Sequence, residues 1–238
     1  SGTPAAWTFN WDTTALADGS SHTIQTRAVD NAGNVETPTS LTLKVDNTAP
    51  TISASLTGVS GLSGWYISAV TVTVLSSDAA SGVAATSLDS AAYTAPVSIS
   101  TQGTTTHSYF ATDNAGNTSG IGTFTLKIDS AEPTSAITSH SNNQWVRGTI
   151  NLSCSTSDTT SGVANVEVST NGGATWNTAS VGAGVWTYSL NTTSLIDGNN
   201  TIQVRAIDAA GNVQSAITSL TLKVDNTLPS VNHALSGT

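Results

Sequence analysis

The chain has 238 residues, of which 37% are apolar, 5% aromatic and 9% charged, with a formal net charge of −9. That acidic balance excludes nucleic acid as a partner, since phosphate backbones are held by clustered Lys and Arg. No apolar run is long enough to cross a membrane as a helix and no export signal is visible, so the segment reads as not membrane-inserted. With no methionine, it reads as an internal piece of a longer exported polypeptide.

In chain order, residues 1–47 read as the C-terminal half of a domain. Trp7, Phe9 and Trp11 alternate, Asp18-Gly19 turns, Ile24, Thr26 and Ala28 share one face, and Leu41, Leu43 and Val45 line a last strand. Alternation with a period of two marks half-buried antiparallel strands. Residues 48–129 read as a complete domain. Its strands run through Ile52–Leu56, Val70/Val72/Val74, Val83–Leu88, Tyr93, Val97–Ile99, Tyr109/Ala111 and Phe124/Leu126/Ile128. Residues 130–226 repeat the register as a second complete domain. Ile150, Leu152 and Cys154 replace Val70, Val72 and Val74, and Trp186, Tyr188 and Leu190 repeat the pattern of Trp7, Phe9 and Trp11. Asn171-Gly172-Gly173 reads as a hairpin turn with positive φ. Residues 227–238 read as the first strand of a following repeat.

Two motifs punctuate this pattern. Asp-x-Ala-Gly-Asn occurs as Asp30–Asn34, Asp113–Asn117 and Asp208–Asn212, each between two alternating runs. Asp-x-x-Ser-Gly-Val occurs at Asp78–Val83 and Asp158–Val163. A hairpin recurring at near-domain spacing means a tandem array. About seven short strands per unit, with no helical period anywhere, predict an all-β fold of antiparallel immunoglobulin-like sandwiches in an elongated array.

These motifs, with Trp65-Tyr66 and the run Gly172-Gly173-Ala174-Thr175-Trp176, resemble the bacterial Ig-like tandem repeats of secreted and cell-surface proteins. The resemblance covers nearly the whole chain. It implies a bacterial cell-surface or extracellular setting and a structural, non-catalytic role as spacer, stalk, or building block of a filament, sheath or adhesin. The partners it implies are neighbouring repeats of the same chain and, in a polymer, other copies. The alternative is a carbohydrate-binding or accessory module of a secreted polysaccharide-degrading enzyme.

No constellation for catalysis stands out. His22, His107, His140 and His233 show no metal-ligand spacing, and the repeated acids lie in turns and linkers rather than across a cleft. In a sandwich of this topology, the loops after the second and sixth strands emerge where the chain enters. Asp46, Asp78 and Asp113 should therefore converge, and Asp129, Asp158 and Asp208 should do the same in the next repeat. Two readings of these aspartates stand. They serve as turn-forming acceptors for backbone N–H groups, or they hold a hard cation such as Ca²⁺, which takes oxygen ligands. Among the tryptophans, Trp65, Trp145, Trp7 and Trp186 recur at equivalent positions and read as packing. Trp11 and Trp176 read as the surface candidates for a glycan. Cys154 reads as a small buried hydrophobe, and Lys44, Lys127 and Lys223 as solvent-facing.

Overall fold

The computed structural model describes residues 6–182 and 185–231, and among these no α-helix occurs. Strands β1 (Ser21–Thr26) and β2 (Thr39–Lys44) form an antiparallel hairpin pairing Ser21 with Lys44 and Thr26 with Thr39. There follow β3 (Thr51–Thr57), β4 (Val70–Ser77), β5 (Val83–Leu88), β6 (Ala91–Ala92), β7 (Val97–Ile99), β8 (Gly103–Asp113) and β9 (Gly122–Ile128). They make two sheets, ordered β3-β4-β7 and β6-β5-β8-β9. Next come β10 (Thr134–Ile137), β11 (Gln144–Val146), β12 (Thr149–Ser157), β13 (Val163–Ser169), β14 (Asn177–Thr178), β15 (Ser180–Gly182), β16 (Val185–Asn191), β17 (Gly198–Asp208) and β18 (Thr218–Val224). Their sheets are ordered β10-β12-β16-β15 and β11-β18-β17-β13-β14. A 3₁₀ turn, Thr192–Ser194, follows β16.

The chain divides into two compact units. One holds the residues up to Thr57 with Thr71–Ile99 and Thr106–Thr125; the other holds Gly58–Val70, Ser100–Thr105 and the chain from Leu126 on. The reason for strands is legible residue by residue. In β4 the β-branched Val70, Val72 and Val74 are buried while Thr71 points to solvent, and in β12 Leu152 and Cys154 take the same inward places. The core of the second unit is one cluster in which Cys154 and Leu152 meet Val166, Val168, Ile202 and Val204. Lys44 and Lys127 are exposed and Lys223 half-buried, and Gly172 and Gly173 carry the positive φ the hairpin requires.

Two sequence expectations need correction. The alternating run Trp7–Trp11 forms no strand, and Trp7 is 65% exposed. Its counterpart in β16 is paired on both sides, with β12 and β15. The earlier run has no such neighbours among the described residues, and alternation without a ladder does not make a strand. The sandwiches are also not antiparallel throughout, because β11 pairs parallel with β18, Trp145 opposite Lys223. After β10 the chain switches sheets, turning at Asn143, whose φ of 64° is one that Asn tolerates better than most residues. Most of the strand expected at 227–238 lies outside the described residues, as does His233; residues 227–231 lie in no strand.

Candidate functional site

The loops bearing the repeated aspartates are shaped by their own carboxylates. Asp113 ends β8, and its Oδ1 accepts the N–H groups of Ala115 (2.9 Å) and Asn117 (2.8 Å), while Oδ2 accepts the Asn117 side-chain amide at 2.8 Å. Gly116, at φ 97°, lets the chain turn back toward β9. Asp208 does the same at the end of β17, accepting from Gly211, Asn212 and the Asn212 amide. Asp30 repeats it after β1, with Ala32, Asn34 and the Asn34 amide as donors. The motif is a carboxylate wrapped by its own hairpin. That explains why Asp opens it and Asn closes it.

The second motif works alike. Asp78 Oδ1 accepts N–H groups of Ala80, Ser81 and Gly82, the last at 2.7 Å. Asp158 Oδ1 accepts those of Thr160 and Gly162. The linker aspartates then reach these loops: Asp46 Oδ2 accepts Ser81 N–H at 2.9 Å, and Asp129 Oδ2 accepts Ser161 N–H at 3.0 Å. The amide of Asn117 donates to the Asp46 carbonyl (3.1 Å) and that of Asn212 to the Asp129 carbonyl (2.9 Å).

These bonds bring together all six residues singled out in the sequence, as two triads. Asp46, Asp78 and Asp113 form one and Asp129, Asp158 and Asp208 the other, with one carboxylate oxygen of each lying within 4.8 Å of the other two. Asp129 and Asp208 are fully buried and Asp113 is 3% exposed. The ion pairs among the described residues, His107–Asp89 and Arg205–Glu167, lie elsewhere. Burial would push the Asp113 carboxyl up, but its hydrogen bonds from Asn117, Gly116 and Ala115 outweigh this and hold it below the ordinary value. The side chains of each triad offer oxygen atoms only, the donor type that a hard cation takes. Ser161 Oγ accepts Ala210 N–H at 3.1 Å. Ser81 Oγ, its counterpart, is buried with no hydrogen-bond partner among the described residues.

The tryptophans are sorted differently from the sequence expectation. Trp186 is buried, but Trp145, read as packing, is 64% exposed with the Lys223 ammonium 5.5 Å from its ring. Trp11 and Trp176, read as surface candidates, are half-buried. The Trp11 and His22 rings pack T-shaped with centroids 5.2 Å apart, and the Arg205 guanidinium covers the Trp176 ring at 4.2 Å. The sequence signal missed was the cross-strand cation. Arg205 sits in β17 beside the strand that leads to Trp176, as Lys223 sits opposite Trp145.

Two family models match the chain. One, described as a bacterial Ig-like domain, covers residues 136–226; the other, a bacterial Ig-like domain of group 3, covers residues 5–89. No curated protein matches. Among solved structures the chain is similar to a tetra-tandem repeat from the extending region of a large adhesion protein, at 23% identity over 89% of this chain and 58% of that one, with a TM-score of 0.34. It is similar to a structure from a 1.5-MDa bacterial ice-binding adhesin, at 20% identity over 89% of this chain and 76% of that one, TM-score 0.36. It is also similar to the endo-β-1,4-mannanase of Thermotoga petrophila, at 18% identity over 42% of this chain and 21% of that one, TM-score 0.35. The chain thus spans about a fifth of the mannanase and under two thirds of the tetra-tandem repeat, and likeness at this level says nothing of activity.

Proposed function

Because the chain carries bacterial Ig-like domains in tandem, we propose that it is a non-catalytic structural segment of a long extracellular bacterial protein, a spacer that carries load between more specialised parts. The observation that supports this is the recurrence of one loop-and-linker arrangement, at Asp46–Asp78–Asp113 and at Asp129–Asp158–Asp208, with the same two bonds tying linker to loops in each. Repetition of the joints rather than of a cleft is what a repeat array needs, since its stability is the sum of units and neighbour contacts. Pulling single molecules from the two ends tests it. Separate successive unfolding events are the expected outcome; one merged rupture, or turnover of a polysaccharide by the isolated chain, would sink the reading. The competing role as a glycan-binding module is not favoured at Trp176, because the flat face it needs there is covered by Arg205.

Within the spacer reading, the two aspartate triads are the place for Ca²⁺. The ion would supply the positive charge that three converging carboxylates otherwise lack, and the residues holding it would be Asp46, Asp78 and Asp113 in one loop cluster and Asp129, Asp158 and Asp208 in the other. A ligand bound only by the folded form raises the melting temperature as its concentration passes the dissociation constant. The expected outcome is a rise on adding Ca²⁺ to EGTA-treated protein, lost in Asp78→Asn/Asp158→Asn. An unchanged melting temperature leaves the aspartates as turn acceptors alone.

A further inference from the structure

Each of the three linkers has the form Asp-x-x-x-Pro, at residues 46–50, 129–133 and 225–229. Each is gripped from behind by one polar side chain that immediately precedes a glycine of positive φ: Asp18-Gly19, Gln102-Gly103 and Asp197-Gly198. All three dipeptides stand at the start of the strand leading into an Asp-x-Ala-Gly-Asn hairpin. Asp18 Oδ1 accepts the Asn47 N–H at 2.7 Å, and its Oδ2 accepts the Thr48 hydroxyl. Asp197 Oδ1 accepts the Asn226 N–H at 2.8 Å, and its Oδ2 accepts the Thr227 hydroxyl. Gln102 makes the same two-point grip in neutral form: Oε1 accepts the Ser130 N–H at 2.8 Å, and Nε2 donates to the Ser130 hydroxyl at 3.1 Å. The linker Asn side chains complete the hold, Asn47 donating to the Thr13 carbonyl and Asn226 to that of Thr192.

We propose that Asp18 and Asp197 are acid-releasable latches on the linkers at residues 46–50 and 225–229, and that Gln102 is the same latch made insensitive to acid. The chemistry is the difference between a charged and a neutral acceptor. A carboxylate takes an N–H and an O–H at once, one on each oxygen, and such bonds are stronger than those to a neutral group. Protonation removes the charge and turns one oxygen from acceptor into donor, so the two-point grip weakens. An amide has no proton to gain in this range. The titratable groups on the elements around Asp18 are Asp12, His22, Lys44 and Asp46; those around Asp197 are Arg147, Lys223 and Asp225. None of them forms an ion pair with either latch, so proton uptake is read by the linker bonds themselves. The bonds from Thr48 and Asn47 hold the Asp18 carboxyl below its ordinary value, and those from Thr227 and Asn226 do the same for Asp197. The latches therefore stay closed through the mildly acidic range and loosen below it.

Backbone amide exchange by NMR on the whole chain tests this, with each rate divided into that of the unfolded chain at the same pH. From about pH 6 to about pH 3, which spans carboxylate titration, protection of the Asn47 and Asn226 amides should fall about tenfold, while that of Ser130 holds. Asp18→Asn and Asp197→Asn keep the shape of the grip, as Gln102 shows an amide can. In them the same amides should start less protected and show no further fall. Ile202 and Val72, in the strand ladders, report that the fold persists. Amide proton shifts of Asn47 and Asn226, which follow the charge of the acceptor, give a second reading free of global stability. Constant protection and shifts at Asn47 and Asn226 through the titration would overturn the proposal, as would an equal fall at Ser130 or a fall that survives in the Asn variants.

Discussion

Asn117 does more than close a turn. Its amide donates both to the Asp113 carboxylate and to the Asp46 carbonyl, so it fastens hairpin to linker. Asn34 has the same place in its own hairpin and bonds Asp30 the same way, yet it is exposed and makes no bond to a linker among the described residues. The pair separates the two contributions. Replacing Asn117 by Ala should cost roughly 1–3 kcal/mol, because two acceptors in a partly buried loop lose their donor, one of them charged. Asn34→Ala should cost clearly less. Chemical denaturation of the two variants measures this, and equal losses would mean that the bond to the linker contributes nothing. Cys154 shows the opposite kind of residue. Burial alone pushes its thiol up, and its place opposite Trp186 in the ladder is that of a small apolar side chain.

At the scale of elements, strands were legible wherever alternation and a partner coincided. Val70, Val72 and Val74 announce β4, and Ile202, Val204 and Ala206 announce β17, because period two with β-branched residues fits only a half-buried pleat. The two aspartate triads were legible too, since strand order fixes which loops share an end. What local pattern does not carry is the identity of the neighbour. The Trp7–Trp11 run has the right period and no ladder, and β11 joins β18 in parallel although its three residues say nothing of direction. The same holds for Gly61, whose missing side chain makes room for the Ala210 carbonyl: a Cβ there would lie 2.2 Å from that oxygen, and the next residue, Leu62, donates its N–H to it at 2.7 Å. Likewise Gly122 lies under the Tyr109 ring, where a Cβ would come within 2.3 Å. Glycines of this sort look like turn residues in a sequence and are packing residues in the fold.

At the scale of the molecule, the distribution of charge sets the response to acid. The chain has few cations, 6 Lys and Arg against 15 Asp and Glu, so its carboxylates are stabilised mostly by N–H and O–H donors rather than by ion pairs. Asn34 holds the Asp30 carboxyl down, Ser215 holds Glu132 down, and the Asp113 hairpin does so against burial. A carboxyl whose folded value lies below its unfolded one takes up its proton first in the unfolded chain. Its stabilisation is complete above the ordinary Asp value of 3.8 and is lost as the pH falls through the depressed folded values. Self-repulsion works the other way, since the net charge of −9 shrinks as protons are taken up. The hydrogen-bonded carboxylates act at contact distance and the net charge acts through screened solvent, so the former dominate. The melting temperature should therefore hold from neutral pH to about pH 5 and fall steeply below about pH 3.5. Circular dichroism melts at fixed ionic strength measure it. A melting temperature that climbs steadily on acidification would mean that repulsion among the acids outweighs the loops built around them.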